Sequence, residues 1–86
     1  MMKKVVVIGD PISHGGSVIS ASSSIDISGK RAALLGDTVN CAKHGTNRIK
    51  QCDLSYDEEG KGIVVDGCQT ECGAQVIATL SDMEIE

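Results

Sequence analysis

The chain has 86 residues, a formal net charge of −4 and a single aromatic residue, Tyr56. A domain this small, without large apolar rings, needs a staple such as a disulfide framework or a structural metal. The acidic charge is not that of a general nucleic-acid binder, and the apolar run Val5–Ile8 is too short for an export signal or a membrane span. We therefore expect synthesis in the cytoplasm, where thiols stay reduced, so the four cysteines favour a metal over disulfides.

The first predicted element is a short buried strand, Lys4–Ile8, because a β-branched run ends there at Gly9-Asp10. Strand signals recur at Ser17–Ile19 and at Ile25–Ile27, on either side of a serine-rich bend. This arrangement predicts a hairpin in which the two isoleucines of the second strand share one face.

The next predicted strand is Lys30–Leu35. Its alanines and leucines favour a helix, but Gly36-Asp37 would end that helix after about one turn. The stretch matches the first strand in length and in its Gly-Asp ending, so a strand is the better interpretation. The same unit recurs at Lys61–Gly67, with Asp66-Gly67 in place of Gly-Asp.

Two more hairpins are predicted along the chain. The second pairs Asn47–Lys50 with Leu54–Asp57, and the third pairs Gln75–Thr79 with Met83–Ile85. Each copy of the unit therefore contains an opening strand, a Gly/Asp turn and a hairpin. Self-similarity at an interval of about 30 residues predicts three equivalent pieces, arranged around an axis or along a line.

A metal-binding type of residue followed by glycine occurs once in each copy, at His14, His44 and Cys72. The middle copy adds Cys41, and the spacing of Cys41 and His44 lets one turn of chain supply two ligands to a single Zn²⁺. Residues from all three copies can share one tetrahedral ion only if the copies converge on one point.

Two sets of four zinc ligands are compatible with the spacing of these residues. The first consists of His14, Cys41, His44 and Cys72, and the repeat register favours it. The second replaces His14 with Cys68, because two close pairs are the usual format of a zinc site. Either set fills all four positions, so we predict one structural zinc rather than a catalytic one. Cys52 fits no ligand pattern and is predicted to be a buried or half-buried small apolar residue.

Catalysis by a Cys41 nucleophile with His44 as base would need a third, orienting group. Asp10 and Asp37 are the candidates, but their place in the Gly-Asp turns already explains both of them. We therefore predict that the protein is not an enzyme.

Taken together, these residues resemble the PAAR-repeat family, named after its proline-alanine-alanine-arginine motif. Arg31-Ala32-Ala33-Leu34 keeps the two alanines of that motif without the flanking proline and arginine. The resemblance covers nearly the whole chain, through the segments Gly9–Ile19, Ile25–Gly29, Gly29–Asp37, Cys41–Gly45 and Cys72–Ala74.

The resemblance implies an all-β fold, a small cone of three β-hairpins with pseudo-threefold symmetry around a structural zinc near the apex. It also implies a non-enzymatic tip on a trimeric VgrG-type spike of a type VI secretion system, or of a related contractile phage-like tail. Such a tip sharpens the spike for envelope penetration and can link effectors to it.

On this interpretation residues 1–86 form a single PAAR-like domain with no effector extension and no signal peptide. The protein is made in the cytoplasm and delivered outside the cell, or into a target cell, on the spike. Its partners are then the spike and effector proteins, with transient contact to the target membrane and no nucleic acid.

Two other functions are open at this point. One is a free-standing zinc-ribbon-like adaptor, which uses Cys68 in place of His14. It would contact a protein or nucleic acid through the basic residues Lys43, Arg48 and Lys50. The other is a thiol redox switch formed by Cys68 and Cys72.

Overall fold

The computed structural model of the chain describes residues 3–27, 29–79 and the backbone of 84–85. Within these ranges the chain forms strands and turns and no helix. The described segments thus contain no helix long and apolar enough to cross a membrane. The strands are β1 (Lys3–Lys4), β2 (Gly16–Val18), β3 (Asp26–Ile27), β4 (Lys30–Arg31), β5 (Thr38–Cys41), β6 (Gly45–Arg48), β7 (Asp53–Glu58), β8 (Lys61–Ile63) and β9 (Glu84–Ile85).

The strands form three successive repeats, residues 3–27, 30–58 and 61–85. The closing strand of each repeat pairs with the opening strand of the next: β3 with β4, β7 with β8, and β9 with β1, all antiparallel. The repeats therefore close into a ring around one axis. The molecule measures 31 × 24 × 24 Å along its principal axes, and two equal widths are what threefold symmetry requires. The predicted all-β, pseudo-threefold fold is confirmed.

A closed circuit of three backbone hydrogen bonds lies at the centre of this ring. Val6 N–H donates to the Val64 carbonyl at 3.0 Å, Val64 N–H to Ala33 at 2.9 Å, and Ala33 N–H to Val6 at 2.9 Å. All three residues are fully buried. Because buried peptide groups must be paired, each repeat satisfies the buried segment after its opening strand only by contact with both of the others.

The core around this circuit is built from small and β-branched side chains. These suit short, fully buried strands, and without aromatic rings they bury little area each. The buried apolar residues are Val5, Val6, Val7, Ile12, Val18, Ile27, Ala32, Ala33, Leu34, Val39, Cys41, Ile49, Ile63, Val64, Val65, Cys68, Ala74, Val76 and Ala78.

The predicted partners of the strands within each hairpin are wrong. The second strand of the first hairpin corresponds to β3, which pairs with β4, while β2 pairs with β5. Likewise β6 pairs with β5, and β7, at the position of Leu54–Asp57, pairs with β8. The closing strand of the third repeat pairs with β1, and Met83 of its predicted range lies outside the described residues. In strands this short, the alternation of apolar and polar residues indicates a strand but does not determine which other strand pairs with it.

Two buried aspartates fix the turns that follow the opening segments of the first two repeats. The Asp10 carboxylate accepts a hydrogen bond from Val7 N–H at 3.0 Å, and the Asp37 carboxylate accepts one from Leu34 N–H at 2.7 Å. The turn role predicted for both aspartates is confirmed.

In the third repeat this turn position is held by Cys68. Its N–H donates to the carbonyl three residues earlier, at 3.1 Å, as the N–H groups of Asp10 and Asp37 do. The third copy of the Gly-Asp turn is therefore Gly67-Cys68, and the predicted match of Asp66-Gly67 was wrong by one residue.

The first two repeats are also joined by β2 and β5, which approach so closely that only glycine fits at one point. A Cβ at position 16 would lie 1.8 Å from the Asn40 carbonyl oxygen, and Gly16 has a φ of 107°. In the register of β2 and β5, Gly16 pairs with Cys41, so this close approach also fixes the position of Cys41 relative to the first repeat.

We expect Gly16→Ala to separate β2 from β5. Gly36→Ala is the matched control, because Gly36 also has a positive φ, of 89°, but a Cβ there has nothing within 4 Å. The control should lose roughly 1–3 kcal/mol for the strained backbone, and Gly16→Ala roughly 3 kcal/mol more for the overlap. Urea unfolding of both variants measures the difference, and equal losses would contradict the close approach.

Candidate metal centre

Four side chains from three different loops meet at one end of the repeats. His14 lies in the turn 13–15 before β2, Cys41 ends β5, His44 ends the turn to β6, and Cys72 lies in the turn 71–73. One potential ligand atom from each residue can be chosen so that all four lie within 4.8 Å of one another. Cys41 is buried, His14 and Cys72 are half-buried, and His44 is exposed. This cluster can hold a metal ion.

The loops explain how three repeats supply four ligands. The first and third are tight turns, closed by hydrogen bonds from Ile12 N–H to Gly16 O at 3.3 Å and from Thr70 N–H to Ala74 O at 2.8 Å. Each has room for one ligand. The second loop is longer, because the hydrogen bond from Ile49 N–H to Asp37 O encloses four more residues than those from Val18 N–H to Asp10 O and from Val76 N–H to Cys68 O. Within it, Cys41 pairs with Gly45 at the turn between β5 and β6. Both ends of its turn therefore face the centre and supply one ligand each.

A glycine follows a ligand in all three loops for a conformational reason. Gly15, Gly45 and Gly73 have φ values of 87°, 76° and 88°, in the left-handed region that other residues rarely adopt. The chain can therefore reverse directly after each ligand. The ligand-glycine pairs seen in the sequence thus mark the turns themselves.

The distances from Cys41 fit a single tetrahedral ion. Its Sγ atom lies 3.8 Å from His14 Nδ1 and 3.6 Å from His44 Nδ1. A sulfur and a nitrogen bound to one tetrahedral Zn²⁺ lie about 3.6 Å apart, given the usual bond lengths. The two imidazole rings have centroids 5.5 Å apart and are tilted by 47°, so they approach the centre from different sides.

Polar neighbours hold Cys72 in place, and those around its sulfur favour the ionised form of the thiol. Its Sγ atom lies 3.1 Å from Thr70 Oγ1, and its N–H donates to Asn47 Oδ1 at 3.2 Å. The Thr70 hydroxyl is the main cause of a pKa lowered to about 6, with smaller contributions from the Ala74 N–H, Cys41 and His14. The thiolate is the form that binds metals, so Cys72 is prepared for that role at neutral pH.

Backbone hydrogen bonds join the three loops to one another around the centre. They run from Ala42 N–H to Gly15 O at 2.9 Å, from Glu71 N–H to Arg48 O at 2.8 Å, and from Ser13 N–H to Gln75 O at 2.8 Å. The pairing of the loops therefore brings the potential ligands to one place without an ion.

The structure brings together the first of the two ligand sets considered from the sequence. Cys68 does not belong to the cluster. It is buried in the core, and burial raises the pKa of its thiol. Cys52 is half-buried, as predicted. The basic residues beside the centre, Lys43, Arg48 and Lys50, are exposed.

Sequence reasoning missed Thr70 and Asn47, whose side chains contact the thiol and the backbone N–H of Cys72. Thr70 carried a signal, because the equivalent positions in the other repeats hold the apolar residues Ile12 and Val39, and Thr70 is as buried as they are. A polar residue at an apolar repeat position indicates a local partner. Asn47 carried no such signal, since it lies on an otherwise exposed strand.

The fold and the centre define a small pseudo-threefold β-protein whose three repeats gather one cluster of histidine and cysteine side chains. A comparison with family models matches the PAAR motif over residues 8–78 of the chain. The chain therefore belongs to the PAAR family, a structural family of spike-tip proteins in type VI secretion. The comparison with curated proteins found no match.

The different surroundings of Cys72 and Cys68 predict different reactivities. In metal-free protein at pH 7, iodoacetamide should modify Cys72 well before Cys68, because the lowered pKa of Cys72 leaves mostly thiolate while burial raises the pKa of Cys68. Peptide mapping by mass spectrometry after timed quenching measures the order. Added Zn²⁺ should protect Cys72. Faster modification of Cys68 would contradict the described environments.

Proposed function

We propose that the protein is the non-enzymatic tip of a trimeric VgrG-type spike of a type VI secretion system, or of a related contractile phage-like tail. It binds the end of the spike and sharpens it for penetration of an envelope. The observation that carries this proposal is the cyclic closure of the three repeats, in which β9 returns to β1 and completes a pseudo-threefold ring.

Symmetry is the argument for a trimeric partner. A single chain on the axis of a trimer faces three identical surfaces, and it can meet all three equally only if it presents three equivalent surfaces itself. The three two-stranded sheets of this chain supply them. Among the described residues, the closing strands β3, β7 and β9 each pair on one side only, which leaves edges for strand addition by the spike.

We propose further that the centre holds one structural zinc through His14, Cys41, His44 and Cys72. The mixed sulfur and nitrogen donor set and the distances from Cys41 support zinc, which takes four such ligands in structural sites. Zinc bound there would supply folding free energy on the order of 10 kcal/mol. A core without large rings needs such a contribution.

The same proposal covers organisation and delivery. Residues 1–86 act as one PAAR-like domain, made in the cytoplasm and delivered on the spike outside the cell or into a target cell. Contact with the target membrane is transient, and effectors can attach to the tip. The family match over residues 8–78 supports the single domain.

The test is the stoichiometry of binding to the cognate trimeric spike. Native mass spectrometry of the mixed proteins should give one chain per spike trimer, because only one pseudo-threefold body fits on the axis. A spike shortened by its last β-strands is the control and should bind no chain. Absence of any complex with the intact spike, or binding of three chains per trimer, would contradict the proposal.

A further inference from the structure

At two of the three interfaces between repeats, hydroxyl groups donate to a buried aspartate, although from different positions in the repeat. At the junction of the third and first repeats, Thr79 Oγ1 donates to Asp10 Oδ1 at 2.5 Å. At the junction of the first and second repeats, Ser20 and Ser22 donate to the Asp37 carboxylate at 2.9–3.2 Å. In both places a buried aspartate accepts hydrogen bonds from a segment of the neighbouring repeat.

The third interface lies between the second and third repeats and has different residues at the same positions. Cys68 holds the place of the aspartates, as its turn shows. Its counterpart follows from a shared contact: Gln51 Oε1 accepts from Gln69 N–H at 2.9 Å, as Ser20 Oγ accepts from Thr38 N–H at 2.9 Å. Gln51 is thus equivalent to Ser20.

The next residue after Gln51 is Cys52, which is therefore equivalent to Thr79, the donor to Asp10 at another interface. The interface of the third and first repeats pairs the Thr79 hydroxyl with the Asp10 carboxylate, and the same positions here hold Cys52 and Cys68. In the first repeat this position is Ala21, and the residues on either side of it, Ser20 and Ser22, donate to Asp37 instead. Neither cysteine belongs to the cluster of potential metal ligands.

Two local features bear on the positions of the two thiols. Cys52 and Cys68 both line an open groove of about 610 Å³, which the ion pair between Lys3 Nζ and Asp53 Oδ2, 2.9 Å long, also borders. Position 62 must be glycine to accommodate the Cys52 thiol, because a Cβ there would lie 2.6 Å from Cys52 Sγ. The Cys52 side chain therefore points towards the third repeat.

We propose that Cys52 and Cys68 are an oxidation site and form a disulfide that cross-links the second repeat to the third. The bond would replace, at this interface, the carboxylate–hydroxyl contact that closes the other two. It leaves the four residues of the metal centre unchanged.

The reaction is thiol–disulfide exchange with a small disulfide such as glutathione disulfide. The half-buried Cys52 thiolate attacks one sulfur of the oxidant, forms a mixed disulfide and releases the first glutathione thiolate. The Cys68 thiolate then attacks Cys52 Sγ and releases the second. Two protein thiols and one oxidant disulfide give one protein disulfide and two reduced thiols, with the two protons passing to the released thiolates.

The surroundings of Cys68 make the second step slow at neutral pH, because burial raises the pKa of its thiol. The bond therefore forms during prolonged contact with an oxidising compartment and not in the cytosol, where thiols are kept reduced. Delivery out of the cell supplies such contact. This delivery is part of the proposed function, and the rest of the inference does not depend on it.

The experiment equilibrates zinc-loaded protein with glutathione redox buffers, followed by alkylation of free thiols and peptide mapping. We expect a mass lower by two hydrogen atoms, one peptide linking Cys52 to Cys68, and full metal content. The oxidised form should unfold at a temperature roughly 10 °C higher than that of the reduced form, since the bond restricts the unfolded chain. Failure of spike binding would not affect this result.

Two variants complete the test. Cys52→Ser should abolish both the cross-link and the gain in unfolding temperature. The double variant Cys52→Thr with Cys68→Asp introduces the polar pair of the interface between the third and first repeats and should be folded, metal-loaded and insensitive to the oxidant. The proposal is overturned by a lasting mixed disulfide on Cys52 alone, by a bond between Cys68 and Cys72 with loss of metal, or by no reaction.

Discussion

The three repeats of this chain are joined to one another by strand pairing, although β5 and β6 pair within the second repeat. Each closing strand joins the opening strand of the next repeat, and the buried segments after the opening strands are paired by the circuit of hydrogen bonds through Val6, Ala33 and Val64. Each of these peptide groups would cost roughly 1–3 kcal/mol if it stayed buried without its partner in a neighbouring repeat. The three repeats therefore fold together as a closed ring, and the pairing of their backbones defines its axis.

The metal centre is a consequence of that closure. Loops from three repeats reach one point only because the ring brings them there, and the longer middle loop turns three loops into four ligands. The small side chains of the core bury little area each, so a bound ion has much to contribute. A symmetric body whose three loops are joined by one ion would suit the trimeric spike proposed above.

The sequence predicted local features well and relations between repeats poorly. Glycines after His14, His44 and Cys72 identified the loops, because a positive φ is a local requirement that only a few residues meet. The partners of β3 and β7 could not be predicted, since pairing within a repeat and pairing across repeats use the same strand signals. The role of Cys68 was hidden for a related reason. Its equivalence to Asp10 and Asp37 depends on a turn register that the match of Asp66-Gly67 displaced by one residue.

The most direct test of the central claim, that all three repeats converge on one ion, is the zinc content of His14→Ala and Cys68→Ala under reducing conditions, with thermal unfolding of each. His14→Ala should lose zinc and much of its stability, because it removes the only ligand from the first repeat. Cys68→Ala should keep one zinc per chain and lose only the packing of a small buried side chain, roughly 1–2 kcal/mol. Retention of zinc by His14→Ala together with its loss from Cys68→Ala would place the first repeat outside the site and contradict the account.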